Sequence, residues 1–417
     1  MSPHCITGLD LGSDAVKLVV AEEYEGRLVP RLFLREPSSG VRRGAVADPV
    51  ELGAIIARML AEATRANKDA GRNVFMSVGT TQITAQPSRG IVAVSRADGQ
   101  IQAEDIDRAV KASQAINLEK NRTLVHNVVR EFIVDGTADV TDPLGLTGSR
   151  LEVSSIVIDA FAMHEKNLVR AAEAGGARVQ GMALNALAAS RSALSKRRKQ
   201  LGCAVIDLGA ETTCLAAWED GKLVGVAQLP IGGATLTHDL AIGLTIPVQA
   251  AERVKRDHGV AEAKSAPARE TIDLAGYAPE VGGKVTKRFV GDIIEARLVE
   301  LFEQVGGELD RWGRAGKLAE GVVLVGGGAR LPGIADLARR ELKLSAEVTR
   351  DLGESWTLEN AHLASELRDP DFATALGLAL WGAQTDEGGS SSRSFSLGFS
   401  PGFLKGAPKG ILRWFLP

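Results

Sequence analysis

Ala204-Val205-Ile206-Asp207-Leu208-Gly209-Ala210-Glu211-Thr212-Thr213 decides the fold. Three apolar residues run into Asp207, Gly209 opens a turn, and two threonines begin a second apolar run that ends at Asp220-Gly221. The pattern predicts strand, tight loop, strand. Such a loop leaves backbone N–H groups unobstructed, adds hydroxyl donors, and supplies a carboxylate that can hold a hydrated cation beside phosphates. Ile6-Thr7-Gly8-Leu9-Asp10-Leu11-Gly12-Ser13 repeats it, with a Glu25-Gly26 turn after the following strand. One Asp-x-Gly loop is ordinary hairpin chemistry. Two of them, at Asp10 and Asp207, predict two similar halves that face each other across one ligand.

Composition limits what that ligand is. A chain of 417 residues is long enough for two or three domains with cores of their own. Its 49 basic and 52 acidic residues give no general field for nucleic acid, so any affinity for phosphate is local. Cys5, Cys203 and Cys214 have no paired metal-ligand spacing, which fits a reducing cytosol. No apolar run approaches the ~18 residues of a membrane span, and no signal core opens the chain. The expectation is a soluble, intracellular body.

Around the two loops, Asp48-Pro49 caps a helix with an apolar stripe from Leu52 to Ala63, and a strand follows over 73–78. Residues 84–158 change to strand, helix, strand, strand, with one strand expected over 91–94 and the solitary His126 expected to make a structural hydrogen bond. A helix over 167–174 stops at Gly175-Gly176, and a small-residue helix is predicted over 183–194. The basic run 196–199 reads as a solvated linker. Pro230-Ile231-Gly232-Gly233 leads into a helix, and Glu252 and Lys255 share one face of another, which by itself is a surface ion pair. Residues 259–287 read as irregular, and a long helix over 289–312 turns Phe289, Ile293, Leu298, Leu301, Phe302, Val305 and Leu309 inward. The buried strand 321–325 runs into Gly326-Gly327-Gly328-Ala329-Arg330, where a flat ring or a phosphate can touch the backbone. A last helix over 371–384 precedes a Gly/Ser-rich linker and a short basic, aromatic tail.

This order of parts resembles the actin/Hsp70 ATPase superfamily and, within it, the FtsA family of bacterial cell-division proteins. The resemblance runs through 8–17, 44–48, Arg89-Gly90, Glu104-Asp105, 142–152, 230–233, 251–259 and the detached tail. It implies an α/β actin-like ATPase of two ribonuclease-H-like halves with a nucleotide cleft between them and an inserted α+β subdomain. The first half would take 1–83 and 159–200, the inserted subdomain 84–158, the second half 201–245 and 313–385, and its small subdomain 246–312. Residues 386–404 would be a flexible linker and 405–417 an amphipathic membrane-targeting tail.

The resemblance also implies ATP and Mg2+. Asp10 and Asp207 would organise the metal and its waters. Gly12, Ser13, Lys17, Gly209, Thr212 and Thr213 would hold phosphates, with Gly232 and Gly233 beside them. Glu252 and Lys255 would contact ribose and base, and Gly326, Gly327 and Gly328, followed by Arg330, would bracket the adenosine. Partners implied are the protein itself in filaments, the C-terminal peptide of the tubulin-like FtsZ, and an anionic membrane, on the cytoplasmic face at the division site. The basic cluster Lys284, Lys287 and Arg288 is the expected peptide site. Glu211 stands where many relatives carry glycine, which puts a carboxylate near the terminal phosphate. In the connecting helix Asn185 can orient water but cannot act as a base, so hydrolysis is expected to be slow or absent. The alternatives are a PilM-like type IV pilus assembly protein, which shares the inserted subdomain, and a sugar kinase, for which no catalytic aspartate is placed.

In the tail, Lys409, Ile411, Leu412, Arg413, Trp414, Phe415 and Leu416 would sink an apolar face while the cations meet anionic headgroups. Each such side chain is worth ~1.5–3 kcal/mol when fully buried, but so short a segment is not helical in water. One tail therefore holds weakly, and a filament gains by presenting many. Liposome sedimentation should be poor for monomers, strong under polymerising conditions with ATP, and lost on deleting residues 406–417 or on Trp414→Glu. Tight binding by the monomer would contradict the avidity argument.

Overall fold

The computed structural model describes residues 4–24, 27–349 and 355–386. The Glu25-Gly26 turn, the linker from 387 onward and the tail lie outside the described residues. β1 (His4–Leu11), β2 (Ala15–Tyr24) and β3 (Arg27–Pro37) form an antiparallel meander. β1 is buried from Cys5 to Leu11, and its register with β2 sets Asp10 directly opposite Lys17. A small hairpin, β4 (Val41–Arg42) and β5 (Ala45–Val46), turns at Arg43 and Gly44, whose φ values of 48° and 73° suit a primed hairpin turn. α1 (Pro49–Ala66) starts where the Asp48 carboxylate accepts the Val50 and Glu51 N–H groups, and β6 (Val74–Val78) then pairs parallel with β1.

The inserted unit comprises β7 (Thr84–Ala93), α2 (Ala103–Gln114), β8 (Arg122–Val134), β9 (Thr137–Val140) and β10 (Arg150–Phe161), with sheet order β7-β10-β8-β9. β7 corrects the expected strand start, because it runs from Thr84 through Pro87 and Gly90 without a break. As an edge strand it tolerates a proline that a central strand would exclude. Gly90 is required by α2: a Cβ there would lie 1.9 Å from the Ala109 carbonyl oxygen.

α3 (Ala162–Ala174) leads to β11 (Val179–Leu184), α4 (Asn185–Ala193) and α5 (Lys196–Leu201). The small-residue helix thus begins two residues later than expected, because Ala183 and Leu184 are taken up by pairing with β6. The basic run is not a linker. Ser195 caps it by accepting the Arg198 N–H, Lys199 lies over the Trp218 ring at 4.9 Å, and Arg198 pairs with Glu347. Charge alone suggests solvent, whereas a cation over an aromatic face is a packed contact.

The second half begins with the meander β12 (Cys203–Leu208), β13 (Thr213–Glu219) and β14 (Lys222–Leu229). α6 (Gly233–Leu244) and α7 (Val248–His258) follow. The stretch expected to be irregular contains the hairpin β15 (Thr271–Asp273) and β16 (Lys284–Thr286). α8 (Lys287–Arg311) begins at a Thr286 cap and packs with Val290 and Ile294 inward, which leaves Phe289 44% exposed, contrary to the inward stripe read from the sequence. β17 (Val322–Val325), α9 (Ile334–Leu342) and β18 (Ala346–Val348) complete a sheet of order β14-β13-β12-β17-β18. The first sheet, β3-β2-β1-β6-β11, has the same plan: a three-stranded meander extended by two parallel strands. After α10 (Ala364–Leu367), α11 (Ala373–Asp386) packs against β1 and α4 in a core that joins both sheets. A Cβ on Gly8 would lie 2.1 Å from the Ala375 carbonyl oxygen, and one on Gly377 1.8 Å from that of Ala188, so backbones touch where side chains would hold them apart.

His126 makes the structural hydrogen bond expected of it. Its Nε2 accepts the Leu184 N–H at 3.0 Å, one residue before α4, and its ring lies 5.4 Å from that of Trp381. Burial pushes its pKa down to about 4 from an ordinary 6.5. The unfolded chain therefore takes up this proton below pH 6.5 while the folded chain refuses it until about 4, so stability falls as pH falls through that window. About 2.5 units at 1.36 kcal/mol each is on the order of 3 kcal/mol. Denaturant unfolding at pH 7 and pH 4.5 should show an acid-dependent loss about 2 kcal/mol smaller in His126→Gln, and equal losses would mean that the imidazole is protonated in the fold.

Candidate functional site

Two loops at the ends of matching strands leave a cleft of about 620 Å³ between the halves. At its base the β1–β2 register brings Lys17 Nζ to 2.9 Å from Asp10 Oδ2, and the same ammonium lies 3.0 Å from Asp371 Oδ1 and donates to the Asp371 carbonyl. All three side chains are nearly excluded from solvent, at 11%, 5% and 6%. Burial alone would lower the Lys17 pKa, but Asp10, Asp371 and Asp207 outweigh it and hold the ammonium well above the ordinary lysine range. Burial likewise opposes the Asp371 carboxylate, yet Lys17, Arg330 and Arg35 hold its pKa below the usual value.

Asp207 ends β12, the counterpart of β1. Its Oδ2 accepts from Thr374 Oγ1 at 2.9 Å and faces Cys214 Sγ at 3.8 Å. Burial pushes this carboxyl up to about 6, with Lys17 pulling the other way and Asp10 adding to the rise. Gly326 (φ 83°) closes this corner, since a Cβ there would lie 2.2 Å from Asp207 Oδ1. Gly12 and Gly209 play matching parts, since a Cβ on either would lie 2.6 or 2.7 Å from the Ala15 or Thr212 carbonyl oxygen.

Asp10, Gly12, Ser13, Lys17, Asp207, Gly209, Glu211, Thr212, Thr213, Gly232, Gly233, Glu252, Lys255, Gly326, Gly327, Gly328 and Arg330 all line this one cleft. Several are placed differently from their simplest reading. Glu252 and Lys255 are not a surface pair: they meet at 2.6 Å in the cleft wall, where Lys255 also donates to the Gly233 carbonyl and to Thr237 Oγ1, and Thr237 donates to Glu252. The Thr213 hydroxyl donates to the Ile231 carbonyl and so braces the loop. Glu211 reaches across the cleft, accepting from the Arg43 N–H at 2.5 Å and pairing with Arg42 at 3.2 Å.

Asp371, Asp14, Arg35 and Arg256 also line the cleft without having been singled out in the sequence. Asp371 sits in Pro370-Asp371-Phe372, and its contact with Lys17 spans 354 positions. Its sequence signal was local, the start of the last helix, and nothing there ties it to Lys17. Asn185 lines the cleft as expected. Lys284, Lys287 and Arg288 lie elsewhere, on β16 and the first turn of α8, where Lys287 pairs with Glu270. Among the described residues, no group of three or more His, Cys, Asp or Glu side chains could hold a metal ion, and no helix is long and apolar enough to cross a membrane.

Chemically, the cleft offers backbone N–H groups and hydroxyls from two facing loops, carboxylates at its base, and an apolar end at Leu298, Leu301 and Leu331. It suits a ligand that is polyanionic at one end and flat at the other. The architecture has the actin-like fold. Among solved structures, the PilM–PilN type IV pilus biogenesis complex is similar at a TM-score of 0.65 and 21% identity, over 91% of this chain and 98% of that one. MreB5 of Spiroplasma citri bound to ADP is similar at 0.53 and 13%, over 91% and 96%. At these identities both show the fold alone, and the pilus-assembly alternative keeps nothing more.

Sequence comparison is narrower. The family model "Cell division protein FtsA" matches residues 204–377, and "SHS2 domain inserted in FTSA" matches 80–159. The cell division protein FtsA of Bacillus subtilis is 32% identical over 374 residues, 89% of this chain and 81% of the relative. The chain belongs to the FtsA family of cell-division proteins.

The charge arrangement gives a direct test. Lys17→Met would leave Asp10 and Asp371 buried around no ammonium, a loss of about 3–5 kcal/mol for a buried pair broken on one side. Urea unfolding at pH 7 should show that loss, and Lys17→Arg, which keeps a cation between the two carboxylates, should show a smaller one. Equal losses in the two variants would place their origin in packing.

Proposed function

We propose that the cleft binds ATP with Mg2+, and that the nucleotide-bound protein polymerises and tethers FtsZ filaments to the cytoplasmic membrane through its C-terminal tail. One observation carries this reading: two matching Asp-x-Gly loops, from two sheets of the same plan, face one another over Lys17. The donor set suits a hard cation, because it is all oxygen and Asp10 Oδ1 is buried with no partner. A bound Mg2+ would neutralise phosphate charge at Asp10 and Asp207.

On this reading the 12–13 and 209–213 loops receive the phosphates through backbone N–H and hydroxyl groups. Lys17 contributes the one ammonium at the base. Glu252 and Lys255 meet the ribose, and Gly326, Gly327 and Gly328 let the adenosine lie against backbone opposite Leu298 and Leu301. Asn185 carries its Oδ1 without a partner and can orient a water, but it takes no proton, so ATP acts chiefly as a conformational ligand. MreB5 of Spiroplasma citri, bound to ADP in one structure and to AMPPNP in another, supports a nucleotide in this fold.

The small subdomain, residues 246–312, would receive the acidic and apolar FtsZ peptide beside Lys284, Lys287 and Arg288, where Phe289 is exposed. Localisation at the division site, on the inner face of the cell membrane, follows from the tail and this peptide together.

Imaging the purified protein on a lipid monolayer tests the reading as a whole. Wild type with ATP should form membrane-bound filaments that recruit FtsZ. Asp207→Ala should bind ATP at least tenfold more weakly in calorimetry, a loss of about 1.4 kcal/mol or more, and should form no filaments. Equal affinities would remove Asp207 from the site, and dispersed wild-type monomers in ATP would remove the filament.

A further inference from the structure

The β4–β5 hairpin carries a built anion site that already has an occupant. Arg43 and Gly44 turn it with positive φ, and the turn presents the Arg43 N–H and the Arg42 guanidinium to one point. The Glu211 carboxylate sits there, 2.5 Å from the amide nitrogen and 3.2 Å from Nη1, having crossed from the opposite half. One backbone donor with one guanidinium is an arrangement that binds carboxylate and phosphate alike. Its position is fixed. Gly44 packs on Gly79 so closely that a Cβ would lie 1.8 Å from the Gly79 carbonyl oxygen. That oxygen accepts from Gln228 Nε2, which also donates to Thr212 Oγ1, and Gly79 in turn abuts the Asn185 amide. The hairpin therefore stands at the end of the 209–213 loop, over the residue placed to orient water.

We propose that Arg42 and the Arg43 N–H form the site for the terminal phosphate of a nucleoside triphosphate, and that Glu211 fills it when that phosphate is missing. This rests on the nucleotide reading above and adds what discriminates between nucleotides. A diphosphate reaches the loops and leaves the Glu211 clasp in place. A triphosphate displaces the carboxylate and takes over its two donors, so preference for the triphosphate is set by competition inside the protein. Arg42 is 71% exposed and free to follow either anion.

Calorimetry on the full chain with Mg-ATP and Mg-ADP separates the possibilities. Glu211→Gln keeps the shape of the clasp and removes its charge, and should lower the ratio of the ATP to the ADP dissociation constant about tenfold. Arg42→Gln should raise that ratio by a similar factor. Ratios within twofold of wild type in both variants would make Glu211–Arg42 a plain surface ion pair and overturn the proposal. A shift in the Glu211 variant alone would remove Arg42 from the site. Binding of neither nucleotide to wild type would overturn the nucleotide reading, and this proposal with it.

Discussion

One ammonium, that of Lys17, is the constraint on which the cleft depends. It is nearly buried, and it is held by Asp10 across the β1–β2 register and by Asp371 from the far end of the chain. Taking three charges out of water costs several kcal/mol per ion, and only close mutual pairing offsets it. The arrangement is therefore poor as a source of stability and strong as a specification. Asp371 is at the right distance only when Pro370–Phe372 lies on the first half, and that segment leads directly into α11. The helix then meets β1 and α4 backbone to backbone through Gly8 and Gly377, so one electrostatic requirement and two glycines fix how the end of the chain closes the core.

The parts of the site that could be read in the sequence are those whose geometry is local. An Asp-x-Gly loop between two apolar runs fixes its own hairpin, and a glycine triplet after a buried strand fixes its own turn, so every cleft residue picked out from those motifs lines the cleft. Asp371 and its pairing with Lys17 were illegible because they join segments that are hundreds of positions apart. Arg35 and Arg256 were hidden for a related reason. A charged residue on a strand or helix reads as solvated, and only the facing Asp14 and Asp371 make it part of a wall.

The misreadings of the fold have equally specific causes. Phe289 looks like a core residue because large aromatics usually are, but the face of α8 that meets the core carries Val290, Ile294 and Leu298, and Phe289 lies about 100° round the helix from Val290. Pro87 hid the first half of β7, since a proline argues against a strand until the strand is known to be an edge. The run 196–199 reads as solvated by its charge, while Lys199 in fact sets its ammonium over the Trp218 ring, and burial there pulls its pKa down to about 7, helped by Arg191.

Most polar groups of the cleft are already committed to one another. Glu252 holds Lys255, Thr237 and Arg256; Asp14 holds Arg35 and lies 3.5 Å from Arg256; Arg330 holds Asp369. An anionic ligand entering such a site exchanges partners instead of filling empty donors, so its affinity is the difference between new contacts and those it breaks. Two of the pairs that stand to be broken, Arg256 with Asp14 and Glu211 with Arg42, join the second half to the first. A ligand that rearranges them changes what holds the halves together, and linkage requires the converse: whatever fixes the halves relative to one another changes the ligand's affinity by the same factor. A neighbour that docks on both halves has that effect. Coupling between the cleft and such a neighbour thus needs no dedicated relay, because the ion pairs that span the cleft are part of its binding surface.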